Sequence, residues 1–195
     1  MSLAIVAAVF VWSAIKPVDR FTWWLEVFPV LVAVPVLAAT YRRFPLTPLA
    51  YALVAVHACI LLVGGHYTYA KVPAFDWLRD ALGQSRNHYD RVGHFAQGFV
   101  PAILARELLL RTSPLRPGKW LAVIVVSICL AISATYELIE WTAAAATGES
   151  ADAFLGTQGD AWDTQKDMAL CGTGAVTALI LLSRPHDRQL AGVAR

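Results

Sequence analysis

Ten polar side chains in this sequence have the types and spacing that chemistry requires. Glu137 and Glu140, in YELIEW, stand three residues apart, and Asp163 and Asp167, in GDAWDTQKDM, stand four apart with Asp160 just before them. Residues three or four apart share one face of a helix, so each pair aims two carboxylates in one direction. Asp90, His94 and Gln97, in YDRVGHFAQG, follow the same spacing; Arg91 lies beside them, and His66 closes GGHYTY. Imidazoles and carboxylates delivered from several helices are the ligand set of metal sites in bundle cores, where Glu-x-x-His is the recognised form. Here the spacing is Glu-x-x-Glu, a partial match. The chemistry that fits is a divalent cation on Glu137, Glu140, Asp163 and Asp167, with His94 or His66 as a further ligand or general base. Arg91 then clamps an anionic phosphate or carboxylate. Metal-assisted hydrolysis or group transfer is the matching reaction class.

The elements that carry these residues are apolar. Of 195 residues, 57% are hydrophobic and 15% charged, with a mean hydropathy of +0.54; soluble domains carry roughly 25% charged residues. A membrane-spanning helix needs about 20 mostly apolar residues. Six segments answer to this, at approximately 1–16, 23–40, 46–65, 94–110, 120–142 and 167–183. The first lacks the basic start and small-residue cleavage site of a signal peptide, so it is read as retained. The expected fold is therefore all-α, a polytopic helical bundle in the membrane with about six spans, one domain and no internal repeat. The net charge of +2 and the lack of a basic patch with interleaved aromatics exclude a nucleic-acid partner. Cys59, Cys129 and Cys171 each fall inside an apolar run and read as small packing residues.

Basic residues set the expected sidedness. Arg42 and Arg43, then Arg111, Arg116 and Lys119, then Arg184, Arg188 and Arg195 fall on one side of a six-span chain. The positive-inside rule puts that side, and both termini, in the cytoplasm. Lys71, Arg79, Arg86 and Arg91 oppose it from a long outer loop, where Asp76, Asp80 and Asp90 partly offset them. In this topology His66, Arg91, His94, Glu137, Glu140, Asp163 and Asp167 all gather at the outer face.

Two readings of that cluster compete. Asp160 and Asp163 suit the cap and first turn of a helix, but Asp167 lies a turn further on. Glu137 and Glu140, near a helix C-terminus, oppose its dipole and need Arg91, Lys166 or a metal nearby. The cluster is thus either a functional site or a structural ion-pair network in a non-catalytic protein, a small transporter or envelope-stress factor. Transporters place polar residues at mid-depth on broken helices, whereas here they collect at one end. Elsewhere, Glu107 and Arg111 form a local pair and Arg106 is expected to snorkel beside them. His57 reads as a helix-contact residue and His186 as part of a disordered tail. Gly172 and Gly174 let the last span pack closely on a neighbour.

NHYDRVGHFAQGFVPAILARELLLR, YELIEW and AFLGTQGDAWDTQKDM resemble, over essentially the whole chain, the bacterial inner-membrane family typified by YjdF. The resemblance implies a small multi-spanning helical protein of the plasma membrane, and it supplies no reaction. More distantly, the order His94-Phe95, then Glu137 and Glu140, then Asp163 or Asp167 with Gly172 is similar to VanZ-type proteins, associated with glycopeptide resistance. That likeness implies envelope lipid or glycan chemistry. The expected partners are membrane lipid and a lipid-linked or anionic small molecule, with a divalent metal ion as the expected cofactor.

Overall fold

A computed structural model describes residues 3–147 and 158–193. Residues 1–2 of the first expected span, residues 153–157 of the AFLGTQGDAWDTQKDM stretch, and Arg195 lie outside the described residues. The described residues form seven helices and no strand: α1 (Leu3–Ala14), α2 (Arg20–Thr40), α3 (Pro48–Tyr67), α4 (Pro73–Ala81), α5 (Tyr89–Thr112), α6 (Lys119–Thr147) and α7 (Asp163–Val193).

Local chemistry sets several helix ends. The Asp19 carboxylate accepts from the Thr22 amide at 2.6 Å and caps α2. Thr47 caps α3, with Pro48 in the first turn, where a missing N–H costs nothing. Thr68 and Tyr69 both take left-handed backbone (φ 55° and 54°), which ends α3 and folds the Tyr69 ring back onto the bundle. That ring explains two glycines, because a Cβ on Gly64 would fall on the Tyr69 ring and one on Gly93 would lie 2.8 Å from it. The long loop after the third span contains the short helix α4, whose Asp76 and Arg79 pair at 2.8 Å.

α5 is the centre of the bundle, packed on α7, α6 and α3, while α1 and α2 lean on α3. Its tightest seam is with α7. A Cβ on Gly98 would strike the Cys171 carbonyl, and one on Gly174 would strike the Phe95 carbonyl. Small residues let membrane helices approach backbone to backbone, and Ala102, Ala175 and Ala178 continue this seam, fully buried.

Among the described helices, α2, α3, α6 and α7 are long and apolar enough to cross a membrane. α1 has 12 residues, about 18 Å at 1.5 Å each, short of a ~30 Å hydrocarbon core. α5 has 24 residues, ample length, but carries charge near both ends. It can do so because three helices surround it and its charges meet protein rather than lipid.

The end where α3 starts and α5 and α7 finish shows this directly. Glu107, fully buried, accepts from the Thr47 amide at 2.9 Å, the Thr47 hydroxyl at 2.7 Å, Arg111 at 2.8 Å and His186 Nε2 at 3.0 Å. Arg106 donates to His186 Nδ1 at 2.9 Å, so the imidazole must carry its proton on Nε2, where it donates to Glu107. Two expectations are corrected here. α7 runs ten residues beyond Ser183, to Val193, and His186 is fully buried in it rather than part of a disordered tail. Arg106 does not snorkel; it is 3% exposed and bonds His186 and Asp187. Glu107 needs more donors than Arg111 alone provides, and the extended helix supplies one.

Candidate functional site

At the opposite end, where α5 and α7 begin and α3 and α6 finish, the polar residues form two layers. Helices that alternate in direction bring those four ends together, so residues far apart in sequence become neighbours.

The outer layer is an ion-pair network. Arg86, 5% exposed in the loop before α5, bonds the Asp163 carboxylate and reaches Asp90 at 3.5 Å and Asp160 at 3.6 Å. Its neighbour Asn87 fixes the loop, donating to the Val72 carbonyl and Asp76 at 3.0 Å each and exchanging bonds with Gln158 at 2.9 and 3.0 Å. Arg91 pairs with Asp160 at 3.2 Å, and Lys166 reaches the same carboxylate at 2.6 Å. The Lys166 ammonium, with the Trp162 amide, holds Asp160 below the usual carboxylate range. Burial and the positive charges of Arg91 and Arg86 hold His88, in the same loop, below the usual imidazole range.

The inner layer has carboxylates in excess. His94 Nε2 lies 3.3 Å from Asp90 and 3.9 Å from Asp167, and one ligand atom from each of the three falls within 4.8 Å of the others. Glu137 stands 3.8 Å from His94 Nδ1, which also lies 3.2 Å from the Gln97 carbonyl oxygen. Asp167 is 3% exposed and Glu137 9%, yet Asp167 Oδ1 and Glu137 Oε1 have no hydrogen-bond partner among the described residues. Buried polar atoms are nearly always satisfied, so these two orphaned oxygens call for an explanation.

The expected site residues distribute themselves over this frame. His94 and Asp167 meet in the inner layer, with Glu137 beside them. Glu140 lines a cavity shared with Asp90 and His94. Asp163 is occupied by Arg86, and Arg91 by Asp160. His66 stands apart: its Nδ1 lies 3.0 Å from the Ser13 carbonyl and its ring stacks on Trp12 at 4.4 Å, tying α3 to α1. Three residues matter more than their local sequence suggests. Asp90 lies with His94 and Asp167, Arg86 is the buried arginine at this end, and Glu26 is a half-buried acid within the apolar run of α2, lining the same cavity as Glu140. A lone ionisable residue within a span is itself the signal that marks Glu26.

Apolar helices of spanning length around a buried polar cluster define an integral membrane protein of the helical-bundle class. The chain belongs to the family described as "Predicted membrane protein (DUF2238)", which matches residues 1–188. It is 54% identical over 182 residues to the inner membrane protein YjdF of Escherichia coli (strain K12), covering 93% of this chain and 87% of that protein. By that similarity it is an inner-membrane protein. No solved structure matches it.

Proposed function

We propose that this protein binds a divalent cation on Asp90, His94 and Asp167, and through it holds the phosphate of an envelope lipid headgroup. The observation that carries this reading is the cluster itself, three potential ligand atoms within 4.8 Å of one another beside an orphaned Asp167 oxygen. Metal–ligand bonds of about 2.0–2.6 Å put two ligands of one ion at most about 5 Å apart, which fits that separation. The Gln97 carbonyl oxygen, 3.2 Å from His94 Nδ1, would orient the imidazole from behind, with the Glu137 carboxylate 3.8 Å away. A ligand set of one imidazole with carboxylates suits Mn²⁺ or Zn²⁺. A cation there would polarise a phosphoryl or carbonyl oxygen for hydrolysis or transfer.

The ion-pair reading holds for the other half of the cluster. Arg86, Arg91 and Lys166 account for Asp160 and Asp163, and none of them bonds Asp167 or Glu137 among the described contacts. The six-span arrangement, with α1 and α5 completing the bundle and both termini cytoplasmic, belongs to this proposal and puts the cluster at the outer face.

Elemental analysis of detergent-purified protein tests it, with thermal melts in added Mn²⁺ or Zn²⁺ and in chelator. We expect about one ion per chain. At a free concentration of 100 times the Kd, the ion stabilises by about 2.7 kcal/mol. Asp90→Asn and Asp167→Asn remove the response. No bound metal and a melt indifferent to both additions would defeat the proposal.

A further inference from the structure

A groove of about 900 Å³ runs between α2 and α3 on one side and α5 and α6 on the other. Along α5 it extends from Asp90 to Leu108, eighteen residues or about 27 Å at 1.5 Å each, close to the ~30 Å of a bilayer's hydrocarbon core. Val30, Ala33, Val54, Val100 and Leu104 make its walls apolar. Val34, Val36, Leu108 and Ile132 on its rim are exposed, so it opens sideways, where lipid lies.

Its acidic residues all come from one end, and of its two histidines His94 stands with them while His57 lies half-way along α3. Glu26 lies near the start of α2, Asp90 and His94 near the start of α5, and Glu140 towards the finish of α6. Asp90 and His94 belong to the cation cluster. Glu26 and Glu140 do not, and neither forms an ion pair with a Lys, Arg or His of the described residues. A long apolar trough with an acidic, cation-capable end has the shape and polarity of an amphiphile's binding site.

We infer that this groove takes one hydrocarbon chain of a membrane lipid whose head joins a phosphate to a primary ammonium group. The phosphate meets the cation at Asp90, His94 and Asp167, and the ammonium meets Glu26 and Glu140. Only the phosphate contact rests on the proposed cation. The chain rests on the groove, and the ammonium on two carboxylates that form no ion pair among the described residues. A primary ammonium has three N–H donors and can bond both carboxylates at once, whereas a quaternary ammonium has none. An anionic head without a nitrogen would meet Glu26 and Glu140 with repulsion.

The test is native mass spectrometry of the full chain in detergent with equimolar dioleoyl phosphatidylethanolamine, phosphatidylcholine and phosphatidylglycerol. We expect one retained phosphatidylethanolamine, preferred about tenfold over each of the others, the scale of one charge-assisted bond. Glu26→Gln with Glu140→Gln should erase the preference while some lipid is still held. Ala33→Trp, or Ala38→Trp on the exposed rim, should reduce retention of all three lipids. Equal retention of the three heads by the wild type, or undiminished retention by a groove-filling variant that melts cooperatively, overturns the inference. Chelator separates the two proposals. It should lower total retention about tenfold while the choice of ethanolamine over glycerol persists; unchanged retention would remove the metal–phosphate contact and leave the groove assignment standing.

Discussion

Arg86 and Arg91 lie five residues apart and both face Asp160, yet their loss should have very different consequences. Arg86 is 5% exposed and bonds Asp163, itself 4% exposed, while reaching Asp90 and Asp160. Removing one partner of a buried pair leaves an uncompensated charge and costs roughly 3–5 kcal/mol. The network sits at the end of the bundle, where water is near, so the lower figure of about 3 kcal/mol applies. For a chain of this length each kcal/mol moves the melting temperature by about 2–4 °C, giving a fall of about 6–12 °C for Arg86→Ala. Arg91→Ala leaves Asp160 still held by Lys166 at 2.6 Å, and should produce a small fraction of that fall. Asp163→Asn added to Arg86→Ala removes part of the stranded charge and should recover part of the loss. The seven tryptophans report melting in detergent by their own fluorescence. In Arg86→Ala the response to metal and chelator should persist, because its loss touches the ion-pair layer. If Arg86→Ala melts with the wild type, or Arg91→Ala falls as far, the division into two layers is wrong.

Two further outcomes are expected. Gly98→Ala should force α5 and α7 apart, because its Cβ would strike the Cys171 carbonyl; overpacking of this kind costs about 1–3 kcal/mol, while Gly192→Ala, with open space around it, should be neutral or slightly stabilising in the same melts. A reporter active only in the cytoplasm, fused after Arg195, should be active in cells; a well-expressed but silent fusion reverses the orientation and moves the cluster to the inner face.

The spans were legible because lipid demands apolar composition along a whole helix, and four of the six expected segments meet that demand on their own. α5 reads poorly for the same reason: its charges are tolerated by the helices around it, which a one-dimensional pattern cannot show. Local pairs could be read from spacing. Glu107 with Arg111 is four residues apart, but the partners that complete the bonding of Glu107, Thr47 and His186, are 60 and 79 residues away. Arg86 is the extreme case. It sits in a polar loop with nothing to distinguish it from Arg79 or Arg91, and its partner Asp163 is 77 residues distant. Gly174 could be read as a packing glycine from its small-residue surroundings, whereas Gly98 becomes meaningful only once the Cys171 carbonyl is placed against it.

Charge balance ties the cluster to the groove. Seven carboxylates, Glu26, Asp90, Glu137, Glu140, Asp160, Asp163 and Asp167, lie at one end of the bundle, while Arg86, Arg91 and Lys166 supply three permanent positive charges. Those three charges are directed mainly at Asp160 and Asp163, the outermost pair. Ionised groups towards the bilayer's interior are costly and persist where they find partners. Of the deeper five, Asp90, Glu137 and Asp167 share His94, Asp90 has a 3.5 Å approach from Arg86, and Glu26 and Glu140 form no ion pair among the described residues. A helix bundle built only for stability would gain by replacing Asp167 and Glu137 with apolar residues, since both are buried and each leaves an oxygen unsatisfied. A divalent cation would offset Asp90 and Asp167, and a ligand ammonium one of Glu26 and Glu140. Glu26 and Glu140 line the lipid-sized groove beside Asp90 and His94, where both charges would arrive from outside the chain.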